Sequence, residues 1–184
     1  GEQDRADIFA AMLPLEAKKL LFSMAASQKG AAKVKKLMFI DVKKAHLNGR
    51  CDEEAYVELP SEVEGSEGMC GRLKFWLYGM RPAARAWEED YAQRLESEGY
   101  ARGRSAATVF FNEAADTRVV VHGDDFTFLG EEKELRRIAA RMAEWYEIVV
   151  RAVLGPDDGD DKEVRILNRM VTWEADGIML VADE

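Results

Sequence analysis

Three aspartates, Asp41, Asp124 and Asp125, occupy positions where an acidic side chain needs a partner. Asp41 follows the apolar run LMFI directly, and the other two lie between the apolar runs VVV and FTFL. An ionised carboxylate beside buried apolar residues costs free energy unless a cation or a hydrogen-bond donor compensates it. Converging carboxylates can bind divalent cations, and two such ions roughly 4 Å apart can catalyse phosphoryl or nucleotidyl transfer. The three residues are therefore candidate ligands of a catalytic metal site.

The elements around these aspartates decide whether they can converge. KLMFIDV predicts a short strand with Asp41 at its end, and residues 108–130 predict three strands. One turn is expected at residues 112–116 and a tighter one at Gly123-Asp124-Asp125. Neighbouring strand residues point to opposite faces, but a turn can direct both acids towards one cleft. Taken singly, Asp41 also fits a strand-terminal acid, and the aspartate pair also fits an ordinary hairpin turn.

Three helices are predicted from apolar spacing and end signals. Residues 14–28 form an amphipathic helix that ends at Gly30, and residues 131–148 form another with an acidic first turn. Residues 82–99 form a third, with Pro82 in the first turn and Gly99 at the C-terminal cap. Its buried face is expected to comprise Trp87, Tyr91 and Leu95. The buried face of the first helix is expected to comprise Leu15, Leu20, Leu21, Met24 and Ala25.

The remaining segments complete an α+β pattern. AYVELP and RLKFWLYG predict strands, Asn48-Gly49 predicts a turn, and RILNRMVTWEADGIMLVADE predicts a strand pair around Asp176-Gly177. GPDDGDDKE predicts a solvent-exposed acidic loop. This order favours an antiparallel sheet with helices gathered on one face, within a single domain over residues 1–184.

Composition limits the class of protein. A chain of 184 residues with 47% hydrophobic and 33% charged residues is typical of one globular domain, and the start at Gly1 is expected for a fragment or a processed product. No run of apolar residues is long enough to span a membrane. Cys51 and Cys70 form no CxxC pair, so reduced thiols and an intracellular location, cytoplasmic or nuclear, are expected. The net charge of −9 counts against nucleic-acid binding, although a basic run, residues 33–44, surrounds Asp41.

Four segments, in order, resemble one family. DVKKAHLNG (41–49) followed by YVELP resembles the DVKTAFLNG…YMEQP signature of copia-type reverse transcriptases. LYGMRPAARAW (77–87) resembles that family's LYGLKQAPRAW, and VVVHGDDFTFLG (119–130) resembles its hairpin with the YVDD box. RILNRMVTW weakly resembles the family's FLGIEI. The resemblance implies a polymerase palm with a ferredoxin-like core and covers nearly the whole chain from about Asp7.

The resemblance also implies roles for single residues. Asp41 would be the first metal ligand, assisted by the Val42 carbonyl, and Asp124 the second, with Asp125 in support. The cofactor would be two Mg²⁺ ions, with Mn²⁺ as an alternative. Arg85 and Trp87 would brace the palm helix. The residues implied to face the template base, the incoming nucleotide or the primer end are His46, Tyr78, Gly79, Arg81 and His122.

The implied partners are an RNA or DNA template with a DNA primer, deoxynucleoside triphosphates and the remaining domains of the Pol polyprotein, but no membrane. The fingers, the thumb and the RNase H domain are expected to be largely absent from this chain.

Some positions depart from the family pattern. His46 replaces the aromatic residue that blocks the 2′-hydroxyl of a ribonucleotide, and His122 replaces the Tyr of YVDD. Pro82 and Ala84 replace the Gln and Pro of LKQAP, and Asn168 replaces the Gly of FLG. Histidine is smaller than phenylalanine and can be charged, so weaker sugar discrimination and a pH-sensitive activity are expected.

Four other readings fit parts of the sequence. The first is a degenerate, catalytically inactive palm that retains only the fold. The second is a palm-type nucleotide cyclase, suggested by GDDFTFL, although its first ligand would lie much nearer the hairpin. The third is a mononuclear metallohydrolase using His46, His122 and Asp124, although HxxxH-type spacing is absent. The fourth is a binding module without enzymatic activity, in which the acids are ordinary surface residues.

Overall fold

The structure is a computed structural model that describes residues 15–28, 33–60, 62–63, 65, 68–104 and 106–182. These residues form helices and antiparallel strands, as predicted for the α+β class. In chain order the elements are α1 (residues 15–26), β1 (Lys36–Val42), a 3-10 helix (Ala45–Asn48), β2 (Tyr56–Glu58), β3 (Cys70–Arg72), α2 (Arg81–Ser97), β4 (Ala101–Arg102), β5 (Val109–Asn112), β6 (Thr117–His122), β7 (Asp125–Gly130), α3 (Glu132–Trp145), β8 (Ile148–Leu154), β9 (Glu163–Ile166), β10 (Arg169–Trp173) and β11 (Ile178–Ala182).

The chain divides into two compact units. The larger unit comprises Gly1–Lys43 and Leu95–Glu184, and the smaller comprises Lys44–Arg94. The expectation of a single domain over residues 1–184 stays a prediction.

A six-stranded antiparallel sheet forms the centre of the larger unit, with strand order β4-β5-β6-β7-β1-β8 in the described part of the chain. The strands β5, β6 and β7 follow one another as hairpins, as predicted. The strand β1 lies between β7 and β8 and pairs antiparallel with both. This order brings the strand that carries Asp41 next to the hairpin that carries Asp124 and Asp125.

The predicted sheet is confirmed, but the expectation of helices on one face needs correction. Leu37 and Phe39 of β1 belong to a buried cluster with Leu21 of α1. Met38 and Ile40 alternate with them, point to the opposite face and are buried too. The helix α3 contacts β1, β7 and β8, and its buried side chains lie outside that cluster. Burial on both faces explains why this strand is an unbroken apolar run.

The helix α1 forms as predicted, but its buried face differs from the expected one. Leu20 is 62% exposed, whereas Lys18 is 0% exposed. The buried positions, which follow helical spacing, are Lys18, Leu21, Phe22 and Ala25. The prediction placed Leu20 on the buried face because it counted only apolar residues, whereas Lys18 occupies the inward position of that turn. The predicted end at Gly30 lies outside the described residues.

The region after α3 also differs from the prediction. The helix ends at Trp145 rather than at Ile148, because Tyr146 adopts an extended backbone conformation. Residues 148–154 then form β8, a strand that the sequence patterns did not indicate. The next segment is not wholly exposed, since Asp160 is held by Lys36, whose ammonium donates a hydrogen bond of 2.6 Å.

A three-stranded antiparallel sheet of β9, β10 and β11 ends the described chain. The predicted strand pair around Asp176-Gly177 is confirmed as β10 and β11. The segment before it, expected to continue as strand, is divided by a turn at Leu167 and Asn168, which both have positive φ angles. Val164, Ile166 and Val171 of this sheet join the cluster formed by α1 and β1.

The smaller unit contains β2 and β3, which pair antiparallel. The strand predicted for AYVELP is confirmed, but the strand predicted for RLKFWLYG is wrong, since β3 ends at Arg72 and the later residues form only an isolated bridge at Phe75. The turn predicted at Asn48-Gly49 is instead the end of a 3-10 helix. Gly49 is required by close packing, because an added Cβ would lie 2.8 Å from the Cβ of Ala86.

The helix α2 agrees with the prediction in its buried face and in its end. Trp87, Tyr91 and Leu95 are all buried. Gly99 has a φ of 87°, a conformation that glycine adopts without steric cost, and its amide donates to the carbonyl of Glu96. The helix begins one residue before Pro82, which still lies in its first turn.

Candidate active site

A row of three polar side chains crosses the central strands at one end of the sheet. Asp41 in β1 lies directly opposite Asp125 in β7, and Asp125 lies directly opposite His122 in β6. Residues directly opposite one another in antiparallel strands point to the same face. By strand alternation, that face is the one that Leu37 and Phe39 share with α1. The pairing register therefore brings both carboxylates together.

The tip of the β6–β7 hairpin adds the third carboxylate. Gly123 and Asp124 form its two-residue turn, and Gly123 has a φ of 63° at the first position, where this kind of hairpin turn favours glycine. The carbonyl of Asp124 accepts a hydrogen bond of 2.9 Å from the backbone N–H of Val42. This bond holds the tip beside the end of β1, and the Asp124 side chain is exposed there.

The three carboxylates converge as the sequence predicted. One oxygen from each of Asp41, Asp124 and Asp125 lies within 4.8 Å of the oxygens from the other two. Oxygen ligands from acidic side chains are the donor set that Mg²⁺ and Mn²⁺ prefer. The residues present therefore fit a divalent metal, while the role of each residue, including the Val42 carbonyl, stays a prediction.

Arg151 of β8 contacts this acidic cluster directly. Its guanidinium donates a hydrogen bond of 2.7 Å to Oδ1 of Asp41. The register between β1 and β8 shifts beside Phe39 and Ile40, which pair with Ala152 and Val150. Arg151 is thus the extra residue of a β-bulge, and bulges often redirect a side chain beside an active site.

Lys18 of α1 is a second cation close to the cluster. Its side chain is fully buried, and its Nζ has no hydrogen-bond partner among the described residues. Burial lowers the pKa of Lys18, and the charges of Asp125 and Asp124 oppose that effect. The lysine is therefore a buried amine within electrostatic range of the carboxylates, with no direct ion pair to any of them in the described structure.

The environment perturbs two residues of the row. Burial raises the pKa of Asp125; the charges of Lys18 and Arg151 oppose this increase, while the other two carboxylates add to it. Burial lowers the pKa of His122, and the charge of Lys18 lowers it further. The raised pKa of Asp125 indicates that its charge is only partly compensated, and a bound divalent cation would relieve the repulsion.

A second acidic cluster lies elsewhere in the larger unit and has a different character. Glu132, Asp157 and Asp160 surround the ammonium of Lys36 at 2.9, 2.8 and 2.6 Å. The Lys36 side chain is 6% exposed, and the three carboxylates together raise its pKa above the usual value. A lysine ammonium therefore occupies the place that a metal ion would need in this cluster.

Four residues that the family resemblance assigned to the template or nucleotide lie in the smaller unit. The rings of His46 and Tyr78 contact each other edge to face, with centroids 5.4 Å apart. Tyr78 is 82% exposed, Gly79 has a φ of 85°, and Arg81 is the first residue of α2. The structure thus brings His46 and Tyr78 together, and the substrate roles of all four residues stay predictions.

Arg85 and Trp87 have the structural surroundings expected of helix residues. Arg85 pairs with Glu89 one turn later at 3.0 Å. Trp87 is buried, with its ring edge to face against Tyr91 at 5.3 Å between centroids.

Sequence reasoning missed Lys18 and Arg151. The one available signal for Lys18 was its helical spacing with Leu21, Phe22 and Ala25, because a residue at i−3, i−4 and i−7 from buried positions shares their face. No local signal marks Arg151, because its position depends on the pairing of β8 with β1.

Comparisons with known proteins identify the family to which the chain is similar. The family model for reverse transcriptase (RNA-dependent DNA polymerase) matches residues 1–155. The chain is 30% identical over 137 residues to the retrovirus-related Pol polyprotein from transposon TNT 1-94 of Nicotiana tabacum. That match covers 72% of this chain and 10% of the polyprotein, so the chain spans about a tenth of that relative's length.

A solved structure of apo telomerase from Candida tropicalis, truncated from its C-terminal domain, has a similar fold. The TM-score is 0.52 at 9% identity, and the match covers 89% of this chain and 39% of that one. At this identity the likeness concerns the fold alone. Within the described residues, no helix is both long and apolar enough to cross a membrane.

Proposed function

The chain belongs to the reverse transcriptase family of copia-type retrotransposons, and we propose that it carries the two-metal nucleotidyl-transfer site of an RNA-directed DNA polymerase. The observation that carries this proposal is the convergence of Asp41, Asp124 and Asp125, whose ligand oxygens lie within 4.8 Å of one another. Two ions bound there would activate the primer 3′-hydroxyl and stabilise the leaving pyrophosphate.

The protein's own contribution is to hold the carboxylates in position before substrate arrives. Pairing of β1 with β7 sets the positions of Asp41 and Asp125, and the hydrogen bond from Val42 to the Asp124 carbonyl secures the hairpin tip. Asp41 and Asp124 act as the principal ligands, and Asp125 has a supporting role. Such prior positioning lowers the reorganisation that the reaction requires.

His46, Tyr78, Gly79 and Arg81 are the residues that we propose contact the substrate. Tyr78 is exposed, and its ring contacts His46, the residue proposed to lie beside the sugar of the incoming nucleotide. Gly79 and Arg81 follow in the segment proposed to lie under the templating base. On this proposal the substrates are an RNA or DNA template with its primer and deoxynucleoside triphosphates, and the other domains of the polyprotein complete the grip on the duplex.

An inactive palm is the second candidate, and the ion pair between Arg151 and Asp41 favours it. That pair engages an oxygen of the first proposed ligand with a protein cation. The histidines at positions 46 and 122, where the family has aromatic residues, also count towards it. A protein of this kind would fold without measurable affinity for Mg²⁺.

Metal binding and primer extension together separate the two candidates. We expect Mg²⁺ or Mn²⁺ to raise the melting temperature of the wild-type chain and of Asp158→Asn, a control in the acidic loop whose side chain is exposed. Asp124→Asn should lose that increase. The same variant should reduce extension on poly(rA)/oligo(dT) to background, while Asp158→Asn retains it. Equal metal responses in the two variants would contradict the proposal.

A further inference from the structure

The guanidinium of Arg151 contacts Asp41, one of the three carboxylates of the proposed metal site. It donates to Oδ1 of Asp41 at 2.7 Å, at the edge of the three-carboxylate cluster. We infer that Arg151 is an internal competitor of the metal: its side chain compensates Asp41 in the metal-free protein and must leave when a divalent ion binds. This inference rests on the proposed function, because it concerns the same site.

The backbone of β8 explains how an arginine reaches this position. A regular strand would pair one residue with each residue of β1, but the register shift leaves Arg151 without an opposite partner. The bulge directs the side chain towards Asp41, although the paired neighbours Val150 and Ala152 follow the ladder. The contact between Arg151 and Asp41 therefore depends on the pairing of β8 with β1, since the two residues are far apart in the sequence.

Competition follows from the chemistry of the two cations. A guanidinium stays protonated in proteins, so Arg151 cannot relieve its repulsion of a metal ion by losing a proton. A Mg²⁺ ion needs its ligand oxygens at about 2.0–2.1 Å and tolerates little distortion, so an oxygen already engaged by an arginine is a poor ligand. The side chain of Arg151 is 40% exposed, which gives it an open path away from the cluster.

Lys18 differs from Arg151 both in its exposure and in its lack of a hydrogen bond to any described carboxylate. It is fully buried, so it has no path to solvent, and it makes no hydrogen bond to a described residue. It therefore lies near Asp125 and Asp124 without occupying a ligand oxygen. Of these two cations, only Arg151 is bonded to a proposed ligand oxygen, so only Arg151 must be displaced when a metal ion binds.

The cluster around Lys36 shows what a permanently compensated site looks like in this chain. There a nearly buried ammonium contacts all three carboxylates, at 2.6–2.9 Å. At the candidate active site, by contrast, a half-exposed arginine contacts one carboxylate of three. On this inference, a contact with one carboxylate from an exposed side chain can exchange with a metal ion more readily than the Lys36 contact can.

Calorimetric titration of Mn²⁺ and Mg²⁺ into the metal-free chain tests the inference. Arg151→Gln should lower the dissociation constant about fivefold, the effect of removing one ion pair of this exposure. Arg151→Lys keeps the charge on a shorter and more mobile group, so its dissociation constant should lie between the two. Arg118→Gln is the matched control: Arg118 also lies in the sheet and pairs with one carboxylate, that of Asp116 at 3.0 Å, and its loss should leave metal affinity unchanged.

A second readout keeps the test independent of folding defects. In urea denaturation with EDTA, Arg151→Gln should be less stable than the wild type, and added Mg²⁺ should stabilise it more than it stabilises the wild type. An unchanged or higher dissociation constant in Arg151→Gln would overturn the inference. If the wild type binds Mg²⁺ through Asp124 and Arg151→Gln binds it equally, only this inference fails. If neither protein binds metal, the proposed function fails with it.

Discussion

Asp125→Asn should make the metal-free protein more stable, the reverse of what removing a half-buried side chain usually does. Asp125 lies opposite Asp41 in the sheet and near Asp124, and its burial raises the pKa of its carboxyl. Asparagine has almost the same shape and carries no charge. The substitution therefore removes electrostatic repulsion and leaves the packing of β7 intact.

The distances allow an estimate of the size of this effect. Two unit charges 4.8 Å apart repel by about 3.5 kcal/mol at an effective dielectric constant near 20. Asp125 takes part in two such pairs, but its exposure, the ion pair of Arg151 with Asp41 and the charge of Lys18 offset most of the repulsion. We expect a net gain of about 1–2 kcal/mol in the free energy of unfolding at neutral pH.

The size of this stability gain depends on pH. An acid with a raised pKa binds its proton more readily in the folded than in the unfolded state, so its contribution to stability is greatest in acid. That contribution falls as the pH rises from the unfolded value of about 4 through the folded pKa. The advantage of Asp125→Asn should therefore be absent below about pH 4 and should grow as the pH rises through the folded pKa of Asp125.

Urea denaturation across this pH range, with EDTA or with saturating Mg²⁺, provides the measurement. With EDTA the variant should be the more stable protein, whereas with Mg²⁺ the order should reverse, because the wild type gains binding energy that the variant partly loses. Asp116→Asn is the control of opposite sign, because hydrogen bonding to Lys35 lowers the pKa of Asp116. A metal-free Asp125→Asn that is clearly less stable than the wild type at neutral pH would refute the reasoning.

Two further predictions concern the other acidic cluster and the sugar-facing residue. Lys36→Met should destabilise the protein by about 3 kcal/mol in urea denaturation, because it leaves the nearly buried Asp160 without its ammonium partner. Lys33→Met removes an exposed pair with Glu131 and should leave the stability nearly unchanged. His46→Phe should raise the preference for deoxynucleotides over ribonucleotides about tenfold in single-nucleotide extension, and an unchanged ratio would exclude His46 from the sugar site.

The hairpin and β1 could be predicted because their signals are local. An apolar run of strand length ends near Asp41, and Gly123 and Asp124 supply the turn that joins two apolar strands. Pairing of adjacent strands then follows from short connections. The strand on the other side of β1, β8, was not predicted, because its start merges with the periodic end of α3.

The buried face of α1 was mispredicted for a different reason. Counting apolar positions favours Leu20 over Lys18, because a lysine is almost never fully buried unless it has a partner. Only the surroundings of Lys18 in the fold, with Asp124 and Asp125 nearby, explain its inward position. A buried charged residue such as Lys18, whose position depends on nearby carboxylates, cannot be predicted until the fold that brings those carboxylates together is known.

Both acidic clusters contain a protein cation, and the difference between them decides their chemistry. A net charge of −9 does not describe either environment, since each cluster is compensated locally. Lys36 is nearly buried and contacts three carboxylates, so exchanging it for a metal ion would require an ammonium to leave a site that raises its pKa. Arg151 is half-exposed and contacts one carboxylate. We therefore propose that three neighbouring acids are not sufficient for a metal site in this chain, and that the cation already present must also be able to leave. Of the two clusters among the described residues, that of Asp41, Asp124 and Asp125 fits this condition better, because its cation is the more exposed one.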